Sequence, residues 1–311
     1  MKKVIDYLKR FWQDDFTIKK YGAVFVFLVV TVSVNYYFDV EDSIIDAYQG
    51  KVIRVLWYFL LYCVSYYGTL SITSLFESEK QAFSEPDFWI KSLFCLLILS
   101  ADRSFYGHIS WSREYLPSEL YRYGARTFGQ AYSLFTLLIP FALFYKLYDH
   151  KEAGWYGLNL KGFDWKPYLS MLLIMVPVIA IASFEKGFVS YYPRYKPNHA
   201  ADFLGVPEWV TALVYELVYG WDFMSVELTF RGFLVIGMTS LLGRKSVLPM
   251  VVTYCFLHFG KPLGEAIGSV FGGYILGVIA FYSRSIFGGV LLHVGVAWLM
   301  EIAAALQKYS R

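Results

Sequence analysis

Five ionisable residues interrupt the apolar stretches of the C-terminal third: Glu227, Arg231, His258, His293 and Glu301. Ionisable groups in apolar helices are costly, face a cavity or one another, and mark functional sites. Glu227 and Arg231 are four residues apart, which places them on one helix face and predicts a charge-assisted pair. His258 ends an apolar run, with Tyr254 one turn earlier, and His293 lies inside the last run.

These residues predict three helices in a defined order: a Glu/Arg helix, a helix ending in histidine and a second histidine helix. Together the helices supply a base, an imidazole to share its proton and a donor for a developing oxyanion, which is what hydrolysis of an amide by water requires. We expect Glu227 to be the base and His258 its partner. His293 would donate to the oxyanion, and Arg231 would pair with Glu227 and hold it ionised.

Glu265 is the second choice for the base. It follows His258 closely, and Pro262 and Gly264 are expected to break the helix between them. Glu265 would then be free to fold back towards the imidazole.

Three other acids are alternatives of lower rank. Glu216 is eleven residues before Glu227, about 16 Å away along a continuous helix. Asp222 points about 140° away from Glu227 around the helix axis. Glu301 follows His293 by two turns and lies on nearly the same face.

The metal requirement is left open by the sequence. The HExxH signature of zinc proteases is absent, and no cofactor is expected. Two histidines and a glutamate can still bind zinc with an open position, and His258 and His293 would then be the ligands. The three cysteines lie in apolar runs without a CxxC pair, which predicts buried small hydrophobic residues.

The order and spacing of these residues resemble the CAAX-protease and bacteriocin-processing (CPBP, Abi) family of intramembrane endopeptidases. That family has the motifs EExxxR, FxxxH and HxxxN, with an apolar residue in place of Asn in some members. The corresponding segments here are 226–231, 254–258 and 293–297, and the resemblance covers roughly residues 205 to 305. It implies hydrolysis of a peptide bond in a membrane-associated protein or peptide.

Two positions depart from the family pattern. Val226 stands where the family has its first glutamate, which with the histidine of the second motif is thought to activate water. Ala297 stands where Asn would help to hold an oxyanion. Therefore Glu227 serves as the base, or a nearby acid does, or catalysis is lost.

Composition predicts an all-α, polytopic transmembrane helix bundle. Of the residues, 57% are apolar and 17% charged, whereas soluble domains are about a quarter charged. Apolar runs long enough to cross a bilayer recur, and with two shorter runs they predict about eight to ten membrane-spanning helices. The runs are 22–38, 55–76, 128–145, 168–184, 227–242, 247–259, 266–282 and 286–306, with 92–101 and 210–223 as the shorter two.

The residues before the first run are amphipathic and basic, which places the N-terminus in the cytoplasm under the positive-inside rule. No mitochondrial-type presequence and no N-x-Ser/Thr site occurs, and we expect a multi-pass protein of the cell membrane, in the bacterial inner membrane. The predicted divisions are an amphipathic cytoplasmic segment (1–22), N-terminal transmembrane helices (23–165), a transmembrane helix with a polar loop (166–204) and a CPBP-like protease core (205–305).

Three functions are compatible with these features. The first is the intramembrane endopeptidase. The second is a catalytically inactive relative that acts as a membrane binding, immunity or assembly protein, which Val226 supports. The third is a transporter with a Glu/His proton relay, but the expected repeat of interrupted helices is missing. Expected partners are the lipid bilayer and a membrane-associated protein or peptide; without clustered Lys and Arg, no nucleic acid is expected.

Overall fold

The computed structural model describes residues 1–76, 81–150, 154–161, 163–197 and 199–309, and every regular element in these ranges is helical. The predicted all-α fold is therefore confirmed. The α-helices are α1 (Lys2–Asp15), α2 (Ile18–Phe38), α3 (Ile53–Ser74), α4 (Pro86–Ser104), α5 (Gly107–Tyr115), α6 (Ser118–Ala131), α7 (Ile139–Phe144), α8 (Lys166–Ala182), α9 (Lys186–Tyr191), α10 (Ala200–Leu204), α11 (Glu208–Glu227), α12 (Thr239–Leu242), α13 (Val247–Leu257), α14 (Leu263–Ser283) and α15 (Phe287–Tyr309).

Short helices of other pitch join or extend these. The π-helical segments are Val40–Ile45, Leu134–Leu138, Tyr145–Asp149 and Leu228–Gly237, and the 3₁₀ segments are Asp46–Tyr48, Gln81–Ser84, Trp155–Gly157 and Gly243–Ser246. π-Helical turns are rare and frequently lie at functional sites. The longest of them, Leu228–Gly237, follows Glu227 directly.

Six helical stretches are long and apolar enough to cross a membrane, so the chain is a multi-pass membrane protein. They are Ile18–Phe38, Ile53–Ser74, Ser118–Asp149, Glu208–Leu257, Leu263–Ser283 and Phe287–Lys308. Glu208–Leu257 has 50 residues, more than twice the 20 or so that one crossing needs, and it turns at Gly243–Ser246. Counting it as two passes and adding the shorter Lys166–Ala182 gives eight candidate crossings in the described part of the chain. That number lies within the predicted range.

The amphipathic N-terminal segment forms α1 and packs on α14. Phe11 is fully buried there, edge-on to the rings of Tyr274 and Phe281. Helix α2 begins at Ile18, inside the stretch 1–22 that was predicted to precede the membrane helices. Lys20 is tolerated in this helix because its ammonium group lies 3.0 Å from the Asp15 carboxylate.

The centre of the bundle is the segment 228–237 together with α13. Every residue of Leu228–Gly237 is buried, as are nearly all residues of α13, which packs on α3, α14 and this segment. A helix surrounded on all sides is largely apolar all round, and Arg231 is the one charged residue in these two segments. Gly232 is needed there, because a Cβ at that position would lie 2.7 Å from the carbonyl oxygen of Tyr156.

Candidate functional site

Glu227 is the last residue of α11 and is completely buried. Its Oε1 lies 2.9 Å from Arg231 Nη1, so the ion pair predicted from the four-residue spacing is present. The same oxygen lies 3.0 Å from His293 Nδ1 on α15. Gly289, one turn before His293, leaves space for the carboxylate, since a Cβ there would collide with it.

His293 is bonded at both ring nitrogens. Because Nδ1 meets the Glu227 carboxylate, an acceptor, the geometry assigns the ring proton to Nδ1. Nε2 then accepts from the hydroxyl group of Tyr254 at 2.8 Å. The imidazole also stacks on Phe223 at 4.5 Å between ring centres. Its side chain is 17% exposed and is therefore more accessible than the side chains of Glu227 and Arg231.

Tyr254 contacts both histidines and the arginine. Its carbonyl oxygen accepts from His258 Nδ1 at 2.8 Å, and its ring meets the His258 ring edge-on at 4.6 Å. The Arg231 guanidinium lies 4.2 Å from the centre of the same ring, a cation–π distance. Sequence reasoning noted Tyr254 only as the neighbour of His258 in the motif. The four-residue spacing was the signal that could have identified it.

His258 caps the C-terminal end of α13 and is 8% exposed. Since its Nδ1 donates to the Tyr254 carbonyl, Nε2 carries the lone pair. The two imidazoles are thus arranged alike, each with Nδ1 bonded to an acceptor and Nε2 unprotonated. The structure brings Glu227, Arg231 and His293 into direct contact, and joins His258 to them through Tyr254.

Glu265 lies in the first turn of α14. The helix break is shorter than the sequence predicted: α14 begins at Leu263 directly after Pro262, so Gly264 is inside the helix and not part of the break. The Glu265 carboxylate lies 3.4 Å from Lys261 Nζ in an ion pair. This ion pair joins the start of α14 to the turn that follows His258.

The other acids serve different contacts. Glu301 accepts the backbone N–H of Arg194 at 2.7 and 2.8 Å, and that of Tyr195 at 3.4 Å. It therefore fastens the polar loop to α15. Asp222 accepts from the hydroxyl group of Ser133.

The zinc alternative needs three ligands that converge. Among the described residues, His, Cys, Asp and Glu groups bring three ligand atoms within 4.8 Å of one another only at Glu41, Asp42 and Asp46. Of the expected zinc ligands, His293 Nε2 already accepts from the Tyr254 hydroxyl, whereas His258 keeps the lone pair on Nε2. Glu227, His258 and His293 therefore do not bring three ligand atoms together as a zinc site requires.

Comparisons with models of protein families, with curated proteins and with solved structures give no match for this chain.

Proposed function

We propose that this chain is a multi-pass membrane endopeptidase that uses water to hydrolyse a peptide bond in a membrane-associated protein or peptide. One observation carries the proposal: two imidazoles are fixed at Nδ1 around a single tyrosine, with the buried Glu227–Arg231 pair behind them. The motif resemblance points to the same activity. The bacterial inner membrane is the location we propose for it.

The base in this proposal is His258. Glu227, the base expected from the sequence, has no exposed surface, and its Oε1 is held by both Arg231 and His293. Glu227 therefore acts as a positioning residue that fixes the His293 tautomer, much as a carboxylate orients a catalytic imidazole. His258 Nε2 carries a lone pair and can take a proton from water.

Hydrolysis begins with the attack of water on the peptide carbonyl. The water oxygen attacks the carbonyl carbon while His258 Nε2 removes one water proton. The carbonyl oxygen becomes an oxyanion, and the Tyr254 hydroxyl turns its single proton from His293 Nε2 to this oxyanion. The C–N bond breaks as protonated His258 gives its proton to the leaving amine, and a carboxylic acid and an amine are released.

A second candidate is the non-catalytic binding protein. Val226 is half-buried against the apolar core and supplies no acid beside Glu227. The Glu227 side chain itself has no surface exposed to solvent. A chain of this kind would bind the same class of membrane peptide without cutting it.

Purified protein in proteoliposomes, incubated with a library of membrane-tethered peptides and analysed by mass spectrometry, tests the proposal. We expect cleavage by the native chain, no cleavage by His258→Ala and native cleavage by His199→Ala, since His199 is exposed on the loop before α10. Equal cleavage by His258→Ala would refute the assignment of the base. Binding of peptides without cleavage would favour the second candidate.

A further inference from the structure

Helix α1 leaves an apolar groove along one side of its contact with α14. Val4 and Phe11 are buried in that contact, whereas Ile5 and Trp12, on the next face of α1, remain 42% and 48% exposed. The groove has a volume of about 620 Å³ and is lined by Leu8, Lys9, Trp12, Gln13, Tyr274 and Ile275. None of the residues assigned to the hydrolysis lines it.

Two lysines stand on the groove side of α1. Lys9 lines the groove, and Lys2 precedes it by seven residues, or two helical turns, which places both side chains on one face. Both are exposed, and neither makes an ion pair within the described part of the chain. Arg10, on another face, is paired with Asp14 at 3.8 Å. The unpaired basic groups therefore lie beside the groove.

The acids of α1 offset only part of its positive charge. Two of its three acidic residues, Asp14 and Asp15, are taken up by ion pairs with basic side chains. Asp6 alone remains to balance the three lysines of the helix, which leaves about two positive charges when all four groups are ionised. An amphipathic helix with a basic polar face binds the headgroup region of anionic membranes.

Helix α1 also lies at the level of the bilayer where headgroups are found. The Arg10 guanidinium lies over the ring of Tyr282, one residue before the end of the membrane-spanning α14. Trp12 is a residue type enriched at the interface between bilayer and water, and its indole N–H makes no hydrogen bond to a described residue. Under the orientation predicted from the sequence, this is the cytoplasmic leaflet, whose surface is negatively charged.

We infer that the groove binds one anionic phospholipid of the phosphatidylglycerol class. An acyl chain would lie along Leu8, Trp12 and Ile275, with the phosphate at the Lys9 ammonium group and Lys2 adding to the attraction. Lysine binds phosphate as a point charge. A phosphatidylcholine chain fits the same apolar walls, but its headgroup has no net charge to match the lysines. Binding of this lipid does not depend on the proposed peptidase activity.

Native mass spectrometry of the full-length protein in detergent tests the choice of lipid. The affinity of the first bound lipid is measured for dioleoylphosphatidylglycerol and for dioleoylphosphatidylcholine, and we expect the former to bind at least about tenfold more tightly. The double variant Lys2→Gln/Lys9→Gln should lose this preference, because each lysine beside an anionic lipid contributes about fivefold in affinity. Lys186→Gln removes an exposed lysine at the start of α9 and should bind as the native chain does.

Fluorescence quenching by brominated lipid tests the location. Bromine atoms on an acyl chain quench a tryptophan that they contact, and Trp12 lines the groove. We expect chain-brominated phosphatidylglycerol to quench a saturable part of the tryptophan emission, and we expect Trp12→Phe to lack that part. Trp209→Phe is the matched control, because Trp209 is 65% exposed at the start of α11, and it should keep the saturable part.

Three results would overturn the inference. They are equal affinity of the native chain for the two lipids, an unchanged preference in the double lysine variant, and unchanged saturable quenching in Trp12→Phe, which would place the lipid outside the groove. A loss of preference in Lys186→Gln as large as in the double variant would show attraction to overall charge and not to this groove. Lys2 and Lys9 are exposed, so the double variant is expected to fold, and its melting temperature without added lipid checks this.

Discussion

Two buried glutamates beside the last helix are held by different kinds of partner. Glu227 is held by the side chains of Arg231 and His293, whereas Glu301 is held by the backbone N–H groups of Arg194 and Tyr195 and also meets the Glu216 carboxyl. An imidazole can accept or pass on a proton, but a backbone amide only donates a hydrogen bond. Burial of an acidic side chain is therefore not enough to identify it as part of a catalytic site. The imidazole of His293 gives Glu227 a partner that can transfer a proton, whereas the backbone amides at Glu301 hold the loop to α15.

The largest expected effect is loss of folded protein in Arg231→Ala. Removing one partner of a buried pair leaves an uncompensated charge, which costs about 3–5 kcal/mol. The yield of monodisperse protein after size-exclusion chromatography measures it. Arg10→Ala is the matched control, because Arg10 and Asp14 form an exposed pair with the same spacing at 3.8 Å, and such pairs contribute about 0–1 kcal/mol. Native yield from Arg231→Ala would show that the Glu227 pairing is dispensable.

Tyr254→Phe removes one hydroxyl group from the catalytic cluster, which consists of Glu227, Arg231, Tyr254, His258 and His293. The substituted ring still lies beneath the Arg231 guanidinium, and the backbone carbonyl of residue 254 still accepts from His258 Nδ1. Only the hydroxyl group that contacts His293 Nε2 is lost. If that hydroxyl donates to the oxyanion, cleavage should fall by about 10²–10³-fold with folded yield unchanged. Tyr215→Phe is the control near Glu301, where we expect no change in rate. An unchanged rate in Tyr254→Phe would remove the hydroxyl from the mechanism.

Glu301→Gln should have the smallest effect on cleavage, within about twofold. An amide side chain keeps one oxygen as an acceptor but binds backbone N–H groups less strongly than a carboxylate. Faster hydrogen exchange at the amides of Arg194 and Tyr195 should report the loosened loop. A large drop in cleavage would place Glu301 in the catalytic machinery and contradict the contrast with Glu227.

The sequence predicted the parts of this arrangement that depend on local spacing. Continuous apolar runs predicted the helices, and the four-residue spacing predicted the contact between Glu227 and Arg231. The contact between Glu227 and His293 joins residues 66 positions apart, and no local pattern encodes such a distance. The partners of Glu301 were missed for another reason, since backbone N–H groups leave no signal in residue types. The start of α2 was predicted too late because Lys20 is charged. Its ion pair with Asp15, which allows Lys20 inside the helix, forms only in the folded chain.

Substitutions at Val226 and His258 should have opposite effects on cleavage. Val226 stands next to Glu227, where a second acid would assist the removal of a proton from water, a kind of contribution worth about 10²–10⁴-fold. Val226→Glu should therefore raise cleavage if the chain is a peptidase, and His258→Ala should abolish it in either background.

The most direct test measures cleavage of membrane-tethered peptides by the native chain and Val226→Glu, each with and without His258→Ala, in the presence of a metal chelator. We predict slow chelator-resistant cleavage by the native chain, faster cleavage by Val226→Glu, and none from either chain without His258. Loss of cleavage with chelator and recovery with zinc would contradict the metal-free mechanism. No cleavage by either the native chain or Val226→Glu would contradict the peptidase proposal and favour the binding protein.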